Sequence, residues 1–233
     1  MNIAIIPARG GSKRIPRKNI KEFAGRPMIA WSIEAAIKSD CFDRVVVSTD
    51  DEEIAQVAVE LGAEAPFLRP AELSNDMVGT TPVISHAISW YQSQGLVVDN
   101  ACCIYATAPF VCVDDILKGF ELINGVKGYS YVFSATSFSY PIQRAVRLIK
   151  SDGVEMFNPD LYLARSQDLE EAYHDAGQFY WGKASAWLDD KPIFSKESGV
   201  VILPRYRVQD IDTYEDWKCA ELIFKVIQDE QHN

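Results

Sequence analysis

The sequence contains no apolar run close to the ~20 residues that a membrane helix needs, and only three histidines in 233 residues. Positive charge is also in short supply: 23 Lys and Arg against 33 Asp and Glu, a formal net charge of −10. That balance argues against nucleic acid and anionic membranes as partners, since both favour a basic surface. The five cysteines (Cys41, Cys102, Cys103, Cys112 and Cys219) include no Cys-x-x-Cys pair, so they read as buried, reduced thiols rather than a metal knot. No Ser-His-Asp or Cys-His arrangement suggests acyl transfer. Repeats and low-complexity tracts are absent. The chain opens on a strand rather than a signal peptide, and a cytoplasmic protein is expected.

What is present begins with an alternation of strands and helices. "NIAII", "RVVVS", "ACCIYA", "YSYVFSA" and "GVVILP" are short apolar runs. Helical spacing marks "PMIAWSIEAAIKS", "DDEEIAQVAVELG", "TTPVISHAISWYQSQG", "VDDILKGFELING" and "YEDWKCAELIFKVIQDE". The pattern predicts an α/β fold, a Rossmann-like and mostly parallel sheet with helices on both faces. Its length suits one domain, 1–233. From about 138 to 176 the periodicity fails and aromatics mix with prolines, which predicts an inserted arm with short antiparallel strands around "AVRLIK". Exposed aromatics there suit a subunit contact, a small dimerisation arm.

The acidic body carries one basic knot, "PARGGSKRIPRKN". Arg9, Lys13, Arg14, Arg17 and Lys18 crowd around Gly10 and Gly11 just after the first strand. Cations so close repel one another unless an anion is present, and glycines there let backbone approach phosphate. The spacing fits neither the Walker pattern nor the dinucleotide pattern, so the knot reads as a polyphosphate-binding loop of another kind.

Near the end, "QDIDT" sets Asp210 and Asp212 on one side of an extended segment, where both can converge on one Mg²⁺. A competing role exists: Asp212 as N-cap with Glu215 three residues later, a capping box. Asp50 is expected to cap the helix after "RVVVS", Arg69 to reach a base or phosphate, and His86 to pack. In "QFYWG", alternation buries Phe179 and Trp181 and turns Tyr180 to the other side.

The segments "IIPARGGSKRIPRKNI", "FDRVVVSTDDEEIA", "RPAELSND" and "DIDT" together resemble the nucleotidyltransferase family that makes CMP-activated nine-carbon acidic sugars. The signature A-R-x-x-S-K followed by K-N is matched by Ala8, Arg9, Ser12, Lys13, Lys18 and Asn19. The resemblance implies a nucleotide-diphospho-sugar transferase type of fold. Its implied substrates are CTP and a nine-carbon acidic sugar, its cofactor Mg²⁺ (or Mn²⁺), and its assembly a homodimer.

It also implies site residues: Arg9, Lys18, Asp210 and Asp212 in catalysis, the last two on metal. Ala8, Arg9, Gly10, Ser12, Lys13, Lys18, Asn19, Arg69 and Thr80 would line the nucleotide pocket. Tyr140, Gln167, Gln178 and Tyr180 are candidate sugar contacts. "IYATAPF" departs from the family's usual glutamine-containing segment, with Tyr105 in the glutamine's place. Together with "SYPIQRA" and "AYHDAGQFYWG" it points away from sialic acid toward a sugar with a less polar tail. Other acidic sugars (sialic, legionaminic or 3-deoxy-manno-octulosonic acid) and a catalytically silent nucleotide binder stay open at this point.

Overall fold

The computed structural model describes residues 1–150 and 152–231. Ser151, inside the predicted arm, lies outside the described residues. Along the chain run β1 (Asn2–Pro7), β2 (Glu22–Phe23), β3 (Arg26–Pro27), α1 (Met28–Lys38), β4 (Arg44–Ser48), α2 (Glu52–Glu60), α3 (Thr80–Ser93), β5 (Asn100–Ile104) and α4 (Val113–Ile123). There follow β6 (Tyr131–Ser137), β7 (Val146–Leu148), β8 (Val154–Met156), β9 (Tyr173–Lys183), α5 (Ala184–Leu188), β10 (Ser198–Ile202) and α6 (Tyr214–Gln231).

Six strands form the central sheet in the order β10-β6-β9-β5-β1-β4. All neighbours are parallel except β9, which runs antiparallel between β5 and β6. The apolar strands β1, β4, β5 and β6 are largely buried because helices cover both faces, whereas Val200 and Ile202 of the edge strand β10 stand exposed. Ile29 and Ile33 of α1, Ile54 of α2 and Ile116 of α4 pack on one side with Phe179 and Trp181. Ile84 and Ile88 of α3 and Ala184 and Trp187 pack on the other, with Tyr180. The alternation expected for "QFYWG" is therefore present, but Tyr180 is as enclosed as its neighbours, at 3% exposure.

In the irregular segment, β7 and β8 pair antiparallel. Tyr140, Leu148, Tyr162 and Leu163 on it are exposed. Cys102 and Cys103 are buried, Cys41 and Cys112 partly so; Cys219 corrects the buried-thiol expectation, standing exposed on α6. His86 packs as expected, edge to face with Phe67, the ring centroids 4.9 Å apart. No described helix is long and apolar enough to cross a membrane.

Two helix caps fall one residue away from their expected places. On α2 the N-cap is Asp51, whose carboxylate accepts from the Ile54 amide at 3.0 Å, and Asp50 is left free to accept from the Gly10 amide. On α6 the capping box is Thr213 with Asp216: the Asp216 amide donates to the Thr213 hydroxyl, and the Asp216 carboxylate accepts from the Thr213 amide at 2.7 Å. Asp212 is thereby released from the capping role. Where two adjacent side chains are both good caps, local pattern cannot choose between them.

Asp51 also receives Arg17, whose guanidinium holds the carboxyl below the usual aspartate range. A depressed value stabilises the fold above the ordinary aspartate range, and the gain is lost as pH falls through the lowered value. Asp51→Ala is expected to cost about 1–2 kcal/mol at pH 7. Urea unfolding at pH 7 and pH 3 should show this difference shrink in acid.

Candidate functional site

A third, smaller cluster explains how the functional loops come together. Ile15 sits in the middle of the basic knot and is fully buried, against Phe23, Phe110, Ile211, Trp217 and Phe224. Ile211 lies between Asp210 and Asp212. One apolar contact set therefore pins the basic loop after β1 beside the acidic loop before α6, although some 195 residues separate them in the chain. Lys18 closes the junction. Its ammonium donates to the Ile211 carbonyl at 2.5 Å and lies 3.5 Å from Asp212 Oδ1.

Beside this junction, at the carboxyl ends of β1 and β5, lies a cavity of about 600 Å³. This is where open α/β sheets place ligands. Arg9, Ser12, Lys13, Lys18, Asn19, Arg69 and Thr80 all line it, with Asp212. Ala8 and Gly10 do not. Ala8 is fully buried in the core, and the Gly10 amide is engaged by Asp50. Gly10 answers a steric need, because a Cβ there would stand 2.6 Å from Asp51 Oδ2.

Two of the lining side chains are held from behind. Asn19 donates from Nδ2 to the Arg9 carbonyl at 2.9 Å, which shapes the basic turn. Arg69 is 5% exposed and its Nε donates to Ser74 Oγ. Burial pulls its guanidinium below the ordinary arginine value, while Asp50 opposes the shift. Of the five cations in the knot, Arg17 turns away to Asp51 and Glu53. The other four meet carboxylates: Arg9 and Lys13 reach Asp76, and Arg14 and Lys18 reach Asp212.

Asp210 does not line the cavity; it stands exposed two residues before Asp212, within reach of that charge. Burial first, and the Asp212 charge second, push its carboxyl above the usual range. Two carboxylates in mutual repulsion beside a cationic pocket are a hard-oxygen donor set that fits Mg²⁺ or Mn²⁺. Among the described residues no group of three or more potential metal ligands occurs.

The candidate sugar contacts are not gathered here. Tyr140 and Gln167 stand exposed on the irregular segment. Gln178 is 3% exposed, and its Nε2 donates to the Arg207 carbonyl at 2.6 Å. Tyr180 lies behind Tyr105, ring centroids 5.4 Å apart, and its hydroxyl donates to Asp175 at 2.5 Å. Tyr105 itself lines the cavity, with its hydroxyl 3.0 Å from Thr80 Oγ1. Arg14 of the basic knot lines it too, and sequence reasoning passed over Asn75, Asp76, Ala106 and Thr107, which also line it. For Ala106 and Thr107 the position just past a strand's carboxyl end was an available signal; for Asn75 and Asp76 it was their place at the end of "RPAELSND".

Three comparisons bear on this site. A family model described as Cytidylyltransferase matches residues 3–195. A protein of Campylobacter jejuni subsp. jejuni serotype O:2, named pseudaminic acid cytidylyltransferase, is 50% identical over 97% of this chain and 97% of its own length. CMP-N,N'-diacetyllegionaminic acid synthase of Legionella pneumophila is 33% identical, again over 97% of each chain. Among solved structures, CMP:2-keto-3-deoxy-manno-octonic acid synthetase complexed with CTP superposes with a TM-score of 0.69. It covers 96% of this chain and 98% of that one, and at 16% identity the likeness is one of fold.

Proposed function

The chain belongs to the cytidylyltransferase family, and from that membership we propose that it couples CTP to pseudaminic acid, giving CMP-pseudaminic acid and pyrophosphate. The observation that carries the reading is the cavity itself: Arg9, Lys13, Arg14 and Lys18 converge on one space edged by Asp212. The half-identical relative named for this sugar supplies the substrate. The product is an activated donor for glycosylation of surface glycans or flagellin.

In this reaction the anomeric hydroxyl of the sugar attacks the α-phosphorus of CTP. A P–O bond forms there, the bond to the β-phosphate oxygen breaks, and the hydroxyl proton leaves to solvent. Such a transfer needs positioning and charge neutralisation more than covalent help. Arg9 and Lys18 neutralise the triphosphate, with Lys13 beside them. Ser12, Asn19, Arg69 and Thr80 shape the nucleotide pocket. Asp210 and Asp212 would hold a divalent cation, Mg²⁺ or Mn²⁺, which when bound would offset charge on the phosphates. Tyr105, locked between Thr80 and Tyr180, forms the cavity wall toward β9, the side to which this reading assigns the sugar.

Tyr140 and Gln167 reach a sugar only if the 138–176 segment of a second copy covers the cavity, so the reading includes a homodimer. The test is pyrophosphate release from CTP and Mg²⁺ with pseudaminic, legionaminic and sialic acids in parallel. A preference for pseudaminic acid of at least tenfold in kcat/KM is expected, about 1.4 kcal/mol of discrimination. Equal use of sialic acid would keep the reaction and overturn the sugar.

A further inference from the structure

The pairing of Asp76 with the basic knot is not accounted for by the reaction above. Its two carboxylate oxygens are divided between two cations: Oδ1 lies 2.6 Å from Arg9 Nη1 and Oδ2 2.5 Å from Lys13 Nζ. Each oxygen thus engages one of the cations assigned to a phosphate. Those cations hold the Asp76 carboxyl below the usual range, so it stays charged at neutral pH. Asp76 approaches from the opposite wall, on the polar stretch between the buried Arg69 and the start of α3. Local bonds shape that stretch without help from Asp76. Asn75 accepts the Met77 amide at 2.9 Å and donates to the Glu72 carbonyl at 3.0 Å, and Met77 is fully open to solvent.

Resting on the proposed function, we infer that Asp76 is an internal competitor for the polyphosphate seat, a tethered carboxylate that CTP displaces and that returns as pyrophosphate leaves. A carboxylate brings one negative charge where a polyphosphate brings several, so the nucleotide wins the exchange. Both pairs are solvent-exposed and screened, Lys13 at 80% side-chain exposure, so the latch opens readily. Without it, Arg9 and Lys13 grip pyrophosphate unopposed and product leaves late. Asp76 is a positioning and specificity residue here: it acts on the phosphate seat through Arg9 and Lys13 and touches no reacting atom.

The test is pyrophosphate inhibition and tripolyphosphate binding in the full-length enzyme, for wild type, Asp76→Asn and Asp76→Glu. Asp76→Asn is expected to bind both anions about three- to tenfold more tightly, the scale of two exposed pairs. Its KM for the sugar should be unchanged, and Asp76→Glu should behave as wild type. A merely structural role would not move anion affinity upward or be rescued by glutamate. Equal or weaker pyrophosphate inhibition in Asp76→Asn overturns the inference while leaving the phosphate seat intact. A wild-type enzyme indifferent to both anions would remove the seat, and the inference with it.

Discussion

A Lys18→Met enzyme is expected to lose about 10²–10³-fold in kcat/KM for CTP, the scale of removing one preorganised group from developing charge. Lys18 is the least exposed cation of the knot that faces the cavity, at 18% of its side chain. It joins the two functional loops at two points, the Ile211 carbonyl and Asp212. Removing it takes a positive charge from beside the leaving pyrophosphate. It also leaves Asp212 paired only with the exposed Arg14.

Arg9→Ala should cost less, because Arg9 is more exposed and already shares Asp76 with Lys13. Lys18→Arg keeps the charge, but a planar fork does not fit a point contact on one carbonyl. It should recover only part of the activity. Steady-state pyrophosphate release, with thermal unfolding on the same preparations, separates chemistry from folding. A loss below tenfold in Lys18→Met would remove this lysine from the transition state.

Much of this arrangement was legible in the sequence, and the unread parts share a cause. Periodicity located β1, β4, β5 and β6 and the helices between them, because a strand buried on both faces has little choice but to be apolar throughout. The basic knot was legible because its charge runs against the whole chain. Periodicity carries no strand direction, so nothing in "QFYWGK" announced that β9 inserts antiparallel between β5 and β6. Capping was found at both helices but displaced by one residue, Asp51 for Asp50 and Thr213 for Asp212. The choice was made by tertiary partners, Gly10 and Arg17 at one end and the cationic loop at the other. Ile15, an isolated apolar residue among cations, proves to be the anchor of the site. Asp76 meets Arg9 and Lys13 across more than 60 residues of chain, and no local pattern encodes such a meeting.

Neutralising the acidic loop should separate activity from stability. Asp210 and Asp212 differ in what surrounds them. Asp212 is held by Arg14 and Lys18, whereas Asp210 is pushed above the usual carboxylate range by burial and by Asp212. A group whose charged form is disfavoured in the folded protein weakens the fold at neutral pH. Asp210→Asn removes that repulsion, so the metal-free variant should unfold at the same or a slightly higher temperature than wild type. Its activity should nonetheless fall by about 10²–10³-fold at a fixed, moderate Mg²⁺ concentration, since one of the two proposed carboxylate donors is gone. Asp212→Asn should lose at least as much activity and gain no stability, because it surrenders two cationic partners. Chelation with EDTA should bring wild type down to the level of the variants. The decisive measurement is the Mg²⁺ concentration for half-maximal pyrophosphate release, expected to rise at least tenfold in Asp210→Asn. An unchanged Mg²⁺ dependence there, with activity intact, would mean that the like-charge pair serves something other than a cation. The repulsion built into this loop would then have no functional counterweight, as strain retained at a binding site ordinarily has.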